Sequence, residues 1–247
     1  MKYMGSKNRI AKHILPIMLA ERKEGQFWVE PFVGGANMID KVDGNRIGGE
    51  YNKYIAHMWQ RLEAGWVPKD DYTKQDYEEI KANKERLPFE TGYVGIACSY
   101  SGKWFGGFAG KVNTKQGLRD YQKEAHKNVM AQVVNIKGVD FRHTSYDDLT
   151  IPSNSIIYCD PPYAGTTKYK DDFNHDKFWQ WCRDMSDAGH TIFISEYNAP
   201  NDFECIWSMG VKSSLSANGK IGASKNSIEK LFRIAQKRIE DIVVEKG

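Results

Sequence analysis

The chain has 247 residues, 40% of them hydrophobic, which is enough for one buried core with an inserted or appended lobe rather than two equal domains. It has no apolar run long enough to span a bilayer and no apolar stretch near Met1, so we expect a cytoplasmic protein without membrane contact. Its net charge of +3 is too small to establish nucleic-acid binding by itself.

The first sixty residues have the pattern of a nucleotide-type binding unit. Apolar residues at helical spacing predict a helix over 7–22, in which Pro16 is expected to make a kink. A short strand over 27–30 is followed by a glycine turn, then a strand over 46–50 that ends in an acid, and a helix over 52–62. This order is typical of a parallel α/β sheet.

The pattern changes between residues 63 and 138, which are polar, lysine-rich and predicted to be mainly helical. Strand-like runs resume afterwards at 139–143, 155–159, 191–195 and 205–209. The simplest organisation is therefore one α/β sheet, formed by 1–62 and 139–247, which is interrupted by an inserted lobe over 63–138.

Two strand ends indicate a ligand site. In VEPFVGGAN, Glu30 ends a strand, and Gly34 and Gly35 allow a ligand to approach the backbone, although a simple tight turn has the same appearance. In RIGGEY, Glu50 occupies the position where such folds accept hydrogen bonds from a ribose diol, or where an acid caps the next helix. Together they suggest a ligand that contains adenosine.

A third strand end, in YCDPPYAG, suggests the chemistry. Pro161 and Pro162 have a fixed φ and no N–H, so the turn presents carbonyls and the Asp160 carboxylate but no donors. Two acceptors suit an exocyclic NH₂ group, and Tyr163 is suited to stack on a base that has left its duplex. The alternative is a purely structural Asp-Pro-Pro turn.

The lobe contains CSYSGKWFGGFAGK, which combines aromatic residues with glycine and lysine. Lys103, Trp104, Phe105 and Phe108 are candidates for phosphate contact and for stacking between bases. The same three aromatic residues would also serve as the small core of the lobe. Both interpretations are open at the level of sequence.

Metal binding is not expected. The acidic loop KDDFNHDKF has the spacing of neither an EF-hand nor a zinc helix, and Asn174 or Asp176 is a natural N-cap for the helix that follows. The four cysteines form no CxxC pair, which favours reduced and buried thiols over zinc or disulfides; they are Cys98, Cys159, Cys182 and Cys205.

Taken together, these motifs resemble the Dam-like DNA adenine-N6 methyltransferases of the D12 class, in the alpha order of segments. MKYMGSKNRI, VEPFVGGAN, GGEYNKYI, FRHTSYDDL, YCDPPY and SANGKIGASKNSIEKLF each resemble a segment of that family. The family usually has Asp where this chain has Glu50. The last segment resembles a family stretch with Asn-Gly followed by an acid and an apolar pair, here Asn218, Gly219, Glu229, Leu231 and Phe232.

The resemblance implies a Rossmann-like sheet that binds S-adenosylmethionine (SAM), an inserted target-recognition lobe, and direct methyl displacement without a metal. It implies catalytic roles for Asp160, Pro161, Pro162 and Tyr163. The implied cofactor contacts, with Asp160 among them, are Tyr3, Gly5, Ser6, Lys7, Glu30, Pro31, Phe32, Gly34, Gly35, Glu50, Ser145 and Tyr146. The implied contacts to double-stranded DNA are Tyr100, Ser101, Lys103, Trp104, Phe105, Lys111 and Asn218.

The resemblance also implies that the enzyme flips its target base, and that it is a small modification enzyme of a phage, mobile element or restriction-modification system. Three alternatives are open. The substrate amine belongs to adenine in RNA or to cytosine N4 in DNA, or the chain is an inactive relative that only binds nucleic acid. The retention of Asp160 and of the Gly34 turn argues against the inactive relative.

Overall fold

The computed structural model describes residues 1–163, 173–212 and 226–235 of a chain that divides into two compact units, Met1–Pro152 and Ser153–Gly247. The first unit contains α1 (Ala11–Leu19), β1 (Trp28–Glu30), β2 (Arg46–Glu50), α2 (Lys53–Glu63), α3 (Lys74–Ala82), α4 (Pro88–Ala97), β3 (Lys111–Thr114), β4 (Gly117–Asp120), α5 (Tyr121–Asn135) and β5 (Val139–His143). The second contains β6 (Ile156–Cys159), α6 (His175–Asp187), β7 (Thr191–Ser195), β8 (Phe203–Lys212) and β9 (Asn226–Ile234).

Three parallel strands in the order β5-β2-β1 form the sheet of the first unit. The register pairs Val29 with Ile47, and Ile47 in turn with Asp140. All of β1 and the first four residues of β2 are buried, as expected for parallel strands that are covered on both faces. Because parallel strands end at the same edge of a sheet, the acids that close β1 and β2 lie at one edge.

Helix α2 packs on this sheet through one apolar face. The Asn52 side chain accepts a hydrogen bond from the Tyr54 N–H at 3.0 Å and so caps the helix. The buried side chains form one face of the helix; they are Ile55, Ala56, Met58, Trp59 and Leu62. The Trp59 ring stacks on Phe141 of β5 with centroids 5.8 Å apart. The predicted helix over 52–62 is confirmed to within one residue at each end.

The segment 63–138 is mainly helical, as predicted, and it also contains a hairpin; the family resemblance implies a hairpin that starts near Tyr100, and the observed strands begin later, at Lys111. Strands β3 and β4 pair antiparallel, with Lys111 opposite Asp120. All four residues of β3 are exposed, so the strand has no buried side to create an alternating apolar pattern. Helix α4 is the opposite case, since every residue from Thr91 to Ala97 is buried.

The second unit combines parallel and antiparallel pairing. Strands β6 and β7 are parallel, with Cys159 opposite Ile194, whereas β9 runs antiparallel to both β7 and β8. Helix α6 begins after Asn174, whose side chain accepts a hydrogen bond from the Lys177 N–H at 2.9 Å. This N-cap was one of the two predicted.

Most predicted strands are confirmed, and the differences lie at their ends. Strand β8 extends beyond the predicted 205–209, and β9 was not predicted as a strand. The predicted helix over 7–22 is instead a 3₁₀ turn at Lys7–Arg9 followed by α1, which ends at Leu19. The Ser6 hydroxyl caps the start of the 3₁₀ turn by accepting from the Asn8 N–H.

Within the described ranges, no helix is long and apolar enough to cross a membrane, and no group of three His, Cys, Asp or Glu side chains could hold a metal ion. Asp171 and Asp172 of the acidic loop lie outside these ranges. Cys98, Cys159 and Cys182 are buried, as predicted. The prediction of burial is wrong for Cys205, which is exposed near a pairing irregularity in β8.

The contact between α2 and α4 depends on the absence of a side chain at Gly92. A Cβ atom there would clash with the Tyr54 carbonyl and would lie 2.9 Å from the Met58 Cβ. Gly92→Ala should therefore lower the free energy of unfolding by about 1–3 kcal/mol, measured by urea denaturation. Gly210→Ala is the matched control because no atom lies within 4 Å of its new Cβ. Equal stability of the two variants would contradict this packing.

Candidate functional site

The Gly34–Gly35 turn, which follows β1 in the first unit, is fixed at both ends of its backbone. Gly34 has φ of +45°, which favours glycine. Its N–H donates to the Glu50 carboxylate at 3.0 Å, and its carbonyl accepts from the buried Trp59 indole at 2.7 Å. The Gly35 carbonyl accepts from the Gln132 amide at 3.0 Å. The turn is therefore held by β2, α2 and α5 together.

Glu50 joins the ends of two elements through one side chain. One carboxylate oxygen accepts from the Gly34 N–H and the other accepts from the Asn52 N–H at 2.8 Å. Burial raises the pKa of Glu50 to about 7, although the two N–H donors act in the opposite direction. Each oxygen retains further acceptor capacity, so this carboxylate can also accept hydrogen bonds from a diol.

The N-terminal segment lies directly on the same turn. A Cβ atom at Gly35 would be 2.6 Å from the Tyr3 Cβ and equally close to the Asn37 amide nitrogen. Gly5 has φ of +85°, and the buried Lys7 ammonium donates back to the Gly5 carbonyl at 3.3 Å. The structure thus brings Tyr3 onto the predicted glycine turn. The described contact of the Lys7 ammonium is with the backbone of its own segment, at the Gly5 carbonyl.

The other predicted cofactor residues follow β1 and β5. Phe32 stacks on Tyr146 with ring centroids 5.4 Å apart, which joins these two strand ends. Glu30 is buried and accepts a hydrogen bond from the Trp28 indole at 2.7 Å. Ser145 donates to Asp148 at 2.7 Å. Pro31 lies against Gly49, where an added Cβ would be 3.4 Å from the Pro31 Cα.

In the second unit, the Asp-Pro-Pro-Tyr motif directly follows β6. Asp160 is partly buried and Pro161 is buried. The strand beneath them is tied to β7 by the buried contact between the Tyr158 hydroxyl and the Ser195 hydroxyl at 2.8 Å. The residues that follow β6 are therefore anchored by a polar contact as well as by backbone pairing.

Tyr163 is held by two side chains of the same unit. Its hydroxyl donates to the Glu229 carboxylate at 3.3 Å, and its ring meets Tyr197 nearly at right angles, with centroids 4.6 Å apart. Burial, followed by the charge of Asp160, raises the pKa of Tyr163 well above its ordinary value. The hydroxyl therefore stays protonated and acts as the donor.

Sequence reasoning missed several residues of these sites. Glu196, which directly follows β7, is 2% exposed, and its carboxylate accepts from the Tyr197 N–H. An acid at a strand end had already been used to single out Glu50 and Asp160, so the same signal was available here. Trp59 and Gln132 had no such signal, because their role depends on tertiary packing.

The Tyr100–Gly102 turn lies against the N-terminal segment. The Met4 N–H donates to the Gly102 carbonyl at 3.2 Å, and a Cβ at Gly102 would be 2.7 Å from the Tyr3 nitrogen. Tyr100, Ser101, Lys103 and Lys111 are exposed, as DNA contacts require. Asn218 lies outside the described residues.

Trp104 and Phe105 are partly buried in the lobe. Trp104 stacks on Tyr54 with centroids 5.5 Å apart, and Phe105 packs against Tyr77 at 5.3 Å. A Cβ at Gly95 would be 2.6 Å from the Trp104 ring. These contacts support the interpretation of both rings as core residues, although the stacking partner of Trp104 lies on α2 rather than in segment 63–138. Their partial exposure leaves surface for stacking.

The chain was compared with known proteins. The sequence profile of the D12 class N6 adenine-specific DNA methyltransferases matches residues 3–200. A search of curated proteins gave no significant match. Among solved structures, the chain is similar to SMU.472, a protein provisionally assigned as a methyltransferase and crystallised with SAH, with a TM-score of 0.36 and 11% identity over 94% of this chain. The chain spans about half, 53%, of that protein.

Proposed function

We propose, from the premise that the chain belongs to the D12 class N6 adenine-specific DNA methyltransferase family, that it transfers a methyl group from SAM to adenine N6 in duplex DNA. The observation that carries the proposal is the set of strand-end residues. In the first unit, Glu50 supplies a carboxylate acceptor for a diol, next to the Gly34–Gly35 turn on which Tyr3 packs. In the second unit, Asp160 and Pro161 supply acceptors for an amine.

The residues of the first unit fit SAM. Tyr3 packs so closely on Gly35 that no added carbon would fit between them, so the Tyr3 side chain forms part of the surface of this turn. The Glu50 carboxylate suits the ribose hydroxyls, and the stacked Phe32 and Tyr146 rings offer apolar surface. When bound, SAM supplies an electrophilic methyl group on a sulfonium. The fold's own residues are proposed to bind and orient it.

Asp160 is proposed to activate the target amine by accepting a hydrogen bond from it. The lone pair of an aromatic amine is delocalised into its ring, so the nitrogen is a poor nucleophile. The Asp160 carboxylate and the Pro161 carbonyl each accept a hydrogen bond from one N–H of the amine. These two hydrogen bonds favour a pyramidal nitrogen whose lone pair is free to attack. Because Pro161 and Pro162 carry no N–H, neither proline donates a hydrogen bond that would compete with the amine for these acceptors.

Tyr163 is proposed to stack on the adenine and to set its plane. Adenine N6 is paired inside a duplex, so the base must leave the stack before its amine reaches the Asp160 acceptors. A ring of fixed orientation at this position lowers the entropy cost of aligning the amine for attack.

DNA contact is proposed to come from segment 63–138. The exposed hairpin of β3 and β4 carries Lys111 and Arg119, while Tyr100 and Lys103 lie on the exposed surface of the same unit. Lys111 and Arg119 have carboxylate neighbours, Asp120 at 3.7 Å and Glu124 at 2.6 Å. Both pairs are exposed and therefore weak, so DNA phosphates can displace them. Helix α5 directly follows β4 of this hairpin, and Gln132 near its end holds the glycine turn.

Asp160→Ala should abolish methylation even when the variant is saturated with SAM. Removal of one preorganised polar group from a transition state typically costs about 100-fold or more in rate. We expect this loss in the single-turnover transfer of tritium from labelled SAM to unmethylated duplex DNA at a saturating SAM concentration, which separates slower transfer from weaker cofactor binding. Asp160→Asn, which retains the shape without the charge, should retain part of the rate. Transfer by Asp160→Ala at the parent rate would contradict the assigned role.

The affinity for SAM should fall as the pH falls through about 7. Protonation removes the charge that accepts the ribose hydroxyls, and with a pKa of about 7 the ionised fraction of Glu50 drops roughly tenfold between pH 8 and pH 6. Calorimetric titration should therefore give a dissociation constant for SAM that is roughly tenfold larger at pH 6 than at pH 8. Glu50→Gln is the control, and its affinity should not vary over this range. Constant affinity of the parent protein would show that Glu50 does not bind the diol.

A further inference from the structure

Glu229 lies on β9. In the sheet of the second unit, β9 pairs with β7, and β7 pairs with β6, the strand after which the catalytic motif stands. Strand β9 pairs antiparallel with β7, with Leu231 opposite Ser195, the last residue of β7. Glu229 precedes Leu231 by two residues, so it shares the same face of β9 and extends beyond the carboxyl end of β7. The resemblance to the D12 class marks this acid without giving it a task.

The position of Glu229 brings its carboxylate to the hydroxyl end of Tyr163. The hydroxyl donates to Glu229 at 3.3 Å, while the ring contacts Tyr197 at 82°. One contact restrains the hydroxyl end of the side chain and the other restrains the ring itself. A tyrosine ring that is held at two points has little freedom to rotate about its side-chain bonds.

Tyr197 is itself fixed by the residue before it. Glu196 is buried, and its carboxylate accepts the Tyr197 N–H directly at the end of β7. The support of Tyr163 therefore comes from β9 and from the two residues that directly follow the neighbouring strand β7. Of the two supports, Glu229 lies on a strand, and support from a strand is more rigid than support from a loop.

We propose, resting on the proposed function, that Glu229 is a positioning residue for methyl transfer. Its carboxylate holds the Tyr163 hydroxyl and thereby fixes the plane of the ring that stacks on the target adenine. This plane decides whether the amine hydrogens point at the Asp160 carboxylate and the Pro161 carbonyl. Glu229 acts through Tyr163, and it affects the alignment of the base rather than the binding of SAM.

A double-mutant cycle tests this role. Tyr163→Phe keeps the ring and removes the hydroxyl, whereas Glu229→Gln keeps the shape and removes the charge. A hydrogen bond to a charged group has an effect of about tenfold, so Tyr163→Phe, which removes the bond, should lower the single-turnover rate on unmethylated duplex DNA by about that factor. Glu229→Gln leaves a neutral amide acceptor and should lower the rate by a smaller factor. Since Tyr163→Phe already removes the whole interaction, the double variant should be no slower than Tyr163→Phe alone. The KM for SAM should remain at the parent value.

Glu204→Gln is the matched control. Glu204 lies on the neighbouring strand β8, and its carboxylate accepts from the Arg233 guanidinium at 2.5 Å. No role in catalysis is proposed for this pair. Glu204→Gln makes the same chemical change as Glu229→Gln, and the Glu204→Gln protein should transfer methyl groups at the parent rate. Melting temperatures of all variants show whether a slower rate reflects misfolding.

Three outcomes would overturn the role of Glu229. They are a parent rate for Tyr163→Phe, a parent rate for Glu229→Gln, and losses that multiply in the double variant. If Glu229→Gln does not fold, Tyr163→Phe decides alone, because it leaves the ring packing intact. A parent protein that methylates no DNA would instead refute the proposed function, so the two failures are distinguishable.

Discussion

The first unit depends on the double hydrogen bond of the Glu50 carboxylate. One oxygen accepts from Gly34 at the end of β1, and the other accepts from Asn52 at the start of α2. Because Asn52 caps that helix and Trp59 of the same helix holds the Gly34 carbonyl, the carboxylate closes a ring of contacts between strand end, turn and helix. A glycine turn without such contacts would have many conformations, and the entropy cost of ordering it would lower the affinity for any ligand that binds there.

The same turn is connected to the segment that carries candidate DNA contacts. Tyr3 lies on Gly35, and the backbone of residues 3 and 4 lies against Gly102. Residues 2–4 therefore contact both the Gly34–Gly35 turn and the Tyr100–Gly102 turn. Neither glycine can accept a side chain without moving this segment, which explains in physical terms why glycine occupies both positions.

The sequence predicted the strand ends well, because apolar runs followed by an acid, glycine or proline are local patterns. It therefore located Glu50, Gly34 and Asp160 at the correct structural positions. It did not predict β9 as a strand, nor the environment of Tyr163, because the contact with Glu229 joins residues 66 positions apart. It could not separate the core role of Trp104 from a DNA role, since a half-buried aromatic residue has the same sequence signal in both cases.

The most direct measurement incubates the parent protein with tritiated SAM and unmethylated duplex DNA, with RNA of the same sequence in parallel, and identifies the labelled nucleoside. The account predicts N6-methyladenine in the DNA and no label in the RNA. N4-methylcytosine as the product, label in RNA alone, or no transfer by a protein that still binds SAM would contradict it.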